Sequence, residues 1–305
     1  MNKNNLKTKL ANLKLKNPVI TASGTFGFGT ELDEYLSVKD LGAITLKGIT
    51  VDKSEGNALP RIAETPAGVL NSIGLENPGI DNFKQEVIPE IETLEVPAIA
   101  NISGYSVKDF VQLAESLEDE DCIDAIEVNV SCPNIKDGGM AFGTDPEMIY
   151  RVTREVAKVY SGTIIVKLSP NVTDIVKMAE AAVEGGADII SLINTLLGMA
   201  IDIDKKEPVL ANTFGGLSGP AVKPVALRMV YQIYEAIDVP IIGMGGIMNG
   251  KDAIEFLLAG ASAVGVGTAT LRDPAASVTI VSQIKEYLEE NNIENISEII
   301  GEAHK

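Results

Sequence analysis

Eight short apolar runs punctuate the chain, and each is followed by a segment with helical spacing or by a long loop leading to one. They are "VITASG" (19–24), "GAITLKG" (42–48), "PAIANIS" (97–103), "CIDAIEVNVSC" (122–132), "TIIVKLS" (163–169), "ADIISLINT" (187–195), "VPIIGMGG" (239–246) and "SAVGVGTA" (262–269). Runs this rich in β-branched residues suit strands buried on both faces. The intervening stretches, such as "SVKDFVQLAESLED", "DPEMIYRVTREVAKVY", "TDIVKMAEAAVEGG", "KPVALRMVYQIYEAI", "KDAIEFLLAG" and "AASVTIVSQIKEYLEE", repeat apolar residues at helical spacing. Eight such units predict an α/β protein, a (β/α)8 barrel with a parallel sheet inside and helices outside. A doubly wound open sheet is the rival. Its fingerprint is absent: the first strand leads into "GTFGFG" and not into a GxGxxG helix opening.

At 305 residues the chain fits one barrel domain over 1–305. Three segments exceed the minimal repeat. "LKTKLANLKLKN" alternates like a hairpin able to close the barrel floor, while residues 49–77 and 196–219 are long insertions. Because the insertions follow strands two and six, both belong over the C-terminal end of the barrel, where long loops are usually functional.

Composition removes several function classes. A formal net charge of -18 opposes phosphate backbones, so nucleic acid is not an expected partner. No run of about 20 apolar residues is present to span a bilayer, and the lysine-containing start lacks the apolar core of a secretory signal, so a cytoplasmic protein without membrane attachment is expected. Cys122 and Cys132 make no CxxC pair, so both are expected as free thiols, with no structural metal and no iron–sulfur cluster on this chain. The only histidine, His304, lies in a polar tail and reads as a solvated residue, which leaves Cys, Lys, Tyr or a carboxylate for any general base.

In a barrel of this kind chemistry stands at the C-terminal strand ends. Those ends carry Ala22-Ser23-Gly24, Lys47-Gly48, Asn101, then Asn129, Ser131 and Cys132, then Lys167, Asn194-Thr195, Gly245-Gly246 and Gly267-Thr268. An asparagine at a strand end often only forms a turn, but Asn101, Asn129 and Asn194 would share one rim. Lys47 and Lys167 sit among β-branched residues, so an inward ammonium must find an anion or lose its proton. The glycines of "GMGGIMNGKDA" and "GVGTATLRDP" can merely turn the chain, yet the last two strands of such barrels often bind phosphate. Cys122 reads as a small residue at a strand start. Cys132 is followed by Pro133 and by the loop "DGGMAFGTD", which could close over a ligand, and its thiol is the natural candidate for proton transfer.

Together "NVSCPN", "NSIGLENPG", "LINT", "GGLSGPAVKPVALRMV" and "GMGGI" resemble the class 1 dihydroorotate dehydrogenases, and the resemblance spans nearly the whole chain. It implies an FMN-binding (β/α)8 barrel that oxidises (S)-dihydroorotate to orotate in de novo pyrimidine biosynthesis. By motif, the FMN contacts fall on Ser23, Lys47, Gly48, Asn101, Asn129, Lys167, Ile193, Gly219, Gly245, Gly246, Gly267 and Thr268. The substrate contacts fall on Lys47, Asn71, Ser72, Ile73, Gly74, Leu75, Asn129, Asn194 and Thr195. The family's base falls on Cys132, which would take a proton from substrate C5 as a hydride leaves C6 for the flavin; Lys167 would stabilise the charge that the reduced flavin acquires. The related membrane-associated class uses serine as base.

"GGLSGPAVKPVALRMV" is similar to the NAD-linked subtype, which implies a partner subunit carrying FAD and a [2Fe–2S] cluster in a heterotetramer of two catalytic and two electron-transfer chains. The alternatives are a homodimeric fumarate-reducing enzyme, a tRNA-modifying flavin reductase on the same fold, which the acidic balance opposes, and a non-catalytic barrel that binds a flavin or phosphate ligand.

Overall fold

The computed structural model describes residues 5–32, 34–131 and 142–305. The hairpin β1 (Thr8–Leu10) and β2 (Leu13–Leu15) leads into β3 (Val19–Thr21) and β4 (Ile44–Thr45). The first insertion carries β5 (Ile62–Thr65) and β6 (Gly68–Asn71); β7 (Ala98–Ile102), β8 (Ala125–Asn129), β9 (Thr163–Lys167) and β10 (Ile189–Leu192) follow. The second insertion carries β11 (Leu196–Gly198), β12 (Ile201–Asp202), β13 (Glu207–Pro208) and β14 (Gly215–Ser218), and β15 (Ile241–Met244) and β16 (Ala263–Val266) complete the set.

Eight of these strands form one parallel sheet in the order β3-β16-β15-β10-β9-β8-β7-β4. An Ile20–Ala43 bridge and a bond from Thr45 N–H to Thr21 Oγ1 at 2.9 Å join the two ends into a barrel. All eight expected strands are present, each shorter than its apolar run; β8, for example, begins at Ala125, three residues after Cys122.

Helices cover the outside for local reasons. The helix Val107–Leu117 opens on a capping box in which Ser106 and Asp109 satisfy each other's backbone N–H groups. Asp145, Asp174 and Asn249 cap the helices Pro146–Ala157, Ile175–Gly185 and Gly250–Leu258. Between β3 and β4 the only regular element among the described residues is a short 3-10 turn, Val38–Asp40.

The strand period of two divides the barrel interior into layers. Ile20, Ala43, Ile99, Ala125, Ile165, Ile189, Ile242 and Ala263 share one apolar cluster with Leu10, Leu13 and Leu15 of the hairpin, which closes the floor as expected. Two residues further along each strand the same inward face carries Ala22, Thr45, Asn101, Glu127, Lys167, Ser191, Met244 and Gly265. The core thus turns polar as it approaches the C-terminal end. Over that end the two insertions meet in a four-stranded antiparallel sheet, β11-β14-β6-β5. No helix among the described residues is long and apolar enough to cross a membrane.

Candidate active site

A cavity of about 790 Å³ lies between the polar layer and the inserted sheet. It is lined by Ser23, Lys47, Gly48, Asn71 to Leu75, Asn101, Asn129, Lys167, Ile193 to Thr195, Gly245, Gly246, Gly267 and Thr268. Residues separated by most of the chain length thereby become neighbours. Gly219 does not line the cavity; it is buried, and a Cβ there would lie 2.9 Å from Gly68 Cα. Cys132 lies outside the described residues.

Lys167 is buried and donates to Ser23 Oγ at 3.1 Å, with Glu127 Oε2 3.6 Å away. The expected inward lysine is therefore present, and a carboxylate accompanies it. Glu127 also accepts from Asn101 Nδ2 at 2.6 Å and from Ser191 Oγ at 2.8 Å. Asn101 Oδ1 is buried and has no hydrogen-bond partner among the described residues. A Cβ on Gly48 would come within 2.9 Å of that oxygen, so the glycine leaves room in front of an acceptor with nothing to accept. Lys47 is half-buried and makes no ion pair among the described residues.

At the mouth Ser131 donates to Asn129 Oδ1 and accepts from Asn194 Nδ2. The serine thus commits the Asn129 oxygen, leaving that amide's Nδ2 group for a ligand. Asn71 Nδ2 donates to Gly216 O at 3.2 Å, tying one insertion to the other. On the opposite side Gly246 has φ +78°, and a Cβ there would lie 2.8 Å from Gly219 O and from Lys223 Cβ. Only glycine allows the chain to turn this closely. Thr268 Oγ1 donates to Ser218 Oγ at 2.9 Å beside it.

Asn57, Asn171 and Glu127, which were not among the residues expected at the rim, have structural roles there, and Ser131, expected at the strand end, links Asn129 to Asn194. Asn171 donates to Thr195 O at 3.0 Å and accepts from Leu197 N–H at 2.9 Å, so it anchors the start of the second insertion. Its sequence signal was "SPN" after strand five, the counterpart of "SCPN" after strand four. His304 departs from expectation. Its ring stacks on Tyr231 with centroids 3.7 Å apart, packs against Tyr234, and places Nε2 3.1 Å from Ala259 O, so the tail is docked on the helix Lys223–Tyr234 far in chemistry from the cavity. Cys122 is a free thiol that burial, reinforced by Glu92, Glu120 and Asp124, pushes above the usual thiol range.

A closed parallel barrel with a polar layer beneath its mouth, ammonium and amide groups on one side of a cavity and a glycine turn on the other, defines a (β/α)8-barrel enzyme with its site at the C-terminal strand ends. The chain belongs to the dihydroorotate dehydrogenase family, whose model, described as "Dihydroorotate dehydrogenase", matches residues 5–288. It is 55% identical over 301 residues to a protein of Alkaliphilus metalliredigens, covering 99% of both chains. It is also 54% identical over 297 residues to a protein of Thermoanaerobacter pseudethanolicus, covering 97% of this chain and 98% of the other. A Bacteroides fragilis protein is 51% identical over 296 residues, with 97% and 98% covered. All three relatives are named "Dihydroorotate dehydrogenase B (NAD(+)), catalytic subunit".

Proposed function

We propose that this chain is the catalytic subunit of an NAD-linked dihydroorotate dehydrogenase and oxidises (S)-dihydroorotate to orotate in pyrimidine biosynthesis. The observation that carries the reading is the lining of the cavity, where Lys47, in no ion pair among the described residues, joins the serine-linked amides of Asn129 and Asn194. Orotate is a planar ring with amide-like edges and a carboxylate. An ammonium that lines the cavity suits the carboxylate, and oriented amides suit the ring edge.

FMN fits the remainder of the cavity. The partnerless Asn101 Oδ1 offers an acceptor for a ring N–H, and the Gly245-Gly246 turn with Gly267 and Thr268 leaves room for a phosphate against backbone. Ser23, Lys47, Gly48, Asn101, Asn129, Lys167 and Ile193 would hold the ring and ribityl portions, with Gly219 supporting the phosphate side from behind. When bound, FMN supplies the hydride acceptor.

The chain's own residues do the rest. Lys47, Asn129, Asn194, Thr195 and the segment Asn71 to Leu75 orient the substrate; the inserted sheet excludes water; Lys167 holds positive charge where negative charge grows. The motif "NVSCPN" assigns the base to Cys132, which as thiolate would remove the C5 proton. The relatives' name, "catalytic subunit", implies a second subunit in those proteins. Here the partner would carry FAD and a [2Fe–2S] cluster in a two-plus-two heterotetramer in the cytoplasm.

The test is purification of the chain with and without its partner. The expected result is a yellow protein that releases FMN and not FAD, reduces artificial dyes with dihydroorotate, and reduces NAD only when the flavin and iron–sulfur subunit is added. Efficient NAD reduction by the chain alone overturns the partner assignment, and efficient fumarate reduction alone moves the chain to the homodimeric subtype.

A further inference from the structure

Glu127 stands in the middle of β8, on the inward face between Ala125 of the apolar floor and Asn129 of the mouth. It is 2% exposed and does not line the cavity. Its carboxylate gathers groups from three other strands: Asn101 of β7 at 2.6 Å, Ser191 of β10 at 2.8 Å, and Lys167 of β9 at 3.6 Å. Two of these three, Asn101 and Lys167, do line the cavity. A buried charge therefore sits directly beneath two groups that face the ligand.

We propose that Glu127 is a positioning residue that fixes which atom Asn101 shows to the cofactor and how much positive charge Lys167 shows it. This rests on the flavin reading of the cavity given above.

The first half follows from hydrogen-bond polarity. An ionised carboxylate only accepts. Asn101 must turn its Nδ2 toward Glu127, which leaves Oδ1 on the other side, beside Gly48, buried and without a partner. The site therefore selects a ring that presents an N–H at that point. A neutral amide in place of Glu127 has one acceptor and one donor end; because the Ser191 hydroxyl can also accept, either orientation of Asn101 can then be satisfied, and its Oδ1 is no longer forced toward the cavity.

The second half follows from charge. The Lys167 ammonium is held between Ser23 Oγ and the Glu127 carboxylate, and the carboxylate offsets part of the field that the ammonium sends into the cavity. In a site of low dielectric this offset is large enough to matter for a cofactor that gains negative charge on reduction. Glu127 therefore holds the reduction potential of the bound flavin down, a setting suited to an enzyme whose electrons must leave again for another acceptor.

The experiment measures the flavin midpoint potential and FMN affinity of the purified full chain as wild type, Glu127→Gln, Glu127→Asp and Ser191→Ala. Glu127→Gln is expected to favour the reduced flavin at least tenfold, a rise of about 30 mV for a two-electron couple, and to weaken FMN binding. Glu127→Asp, which keeps the charge, is expected to return the potential toward the wild-type value. Ser191→Ala removes a donor from the carboxylate, leaves more of its charge on Lys167, and is expected to lower the potential. Glu127→Gln with FMN bound and an unchanged potential overturns the role of Glu127 while leaving the flavin reading intact. If Glu127→Gln does not fold, an unchanged or raised potential in Ser191→Ala has the same meaning. A wild-type chain that binds no FMN overturns the reading beneath it.

Discussion

Lys167 reaches across the barrel. It leaves β9 and donates at 3.1 Å to Ser23 Oγ, just past the end of β3, four places away in a ring of eight strands. Its ammonium therefore lies near the axis, at the base of the cavity, with Glu127 at its side.

Lys167→Met removes that central charge and strands a buried carboxylate. Turnover with dihydroorotate and a dye is expected to fall by about 10²–10³, the usual scale for losing a group that stabilises developing charge. Stability is expected to drop by about 3 kcal/mol, because Glu127 then has no counter-charge. The double variant Glu127→Gln/Lys167→Met is expected to recover stability in urea unfolding without recovering turnover. A double variant as unstable as the sum of the singles would separate the two residues energetically.

The two thiols are expected to behave differently. The raised pKa of Cys122 delays its thiolate to higher pH, so at pH 8 iodoacetamide is expected to modify Cys132 first, as peptide mapping would show. Cys132→Ala is expected to abolish turnover with FMN retained, and Cys132→Ser to keep slight activity with its optimum at higher pH. Cys122→Ser is expected to remain active. Full activity in Cys132→Ala would assign the base elsewhere.

Lys223 clamps the helix Gly250–Leu258 by donating to Asp252 at 2.7 Å and Glu255 at 2.9 Å. These bonds, Asp252's first, hold its ammonium above the ordinary lysine value of 10.5. A raised lysine pKa stabilises the fold fully below that ordinary value, and the contribution disappears as pH rises through the folded one. Lys223→Met is accordingly expected to cost about 1–3 kcal/mol at pH 7 in urea unfolding. Its deficit relative to wild type is expected to shrink above pH 10.5.

His304→Ala removes the ring stacked on Tyr231 at 3.7 Å. The expected loss is about 1 kcal/mol of stability in a thermal melt, with kcat and KM unchanged because the tail does not line the cavity. A change in KM would tie the tail to the site.

The barrel was legible because each strand advertises itself locally. "TIIVK" and "AIEVN" are short, largely apolar runs buried on both faces, and the helices before and between them carry their own caps. The hairpin at the floor was legible for the same reason. Glu127 was not, because attention to strand ends passes over the residue two positions earlier; its signal was the period itself, which puts it on the same face as Ala125 and Asn129. The inserted sheet was harder still. Its strands are short and polar or glycine-rich, and their pairings depend on partners far away in sequence. The docking of His304 likewise needed Tyr231 and Tyr234, which only the folded helix brings to the tail.

The sheet that roofs the cavity pairs Gly216 with Asn71, residues 145 positions apart. No local turn can assemble it, so its loop-closure entropy is met only after the strands between, β7 to β10, have taken their places. During synthesis the roof must therefore wait until the ribosome has released everything through β14. Before that point the chain carries at most six of the eight barrel strands and no mouth. Ligand capture then becomes a sign of completion, withheld until nearly the whole polypeptide exists.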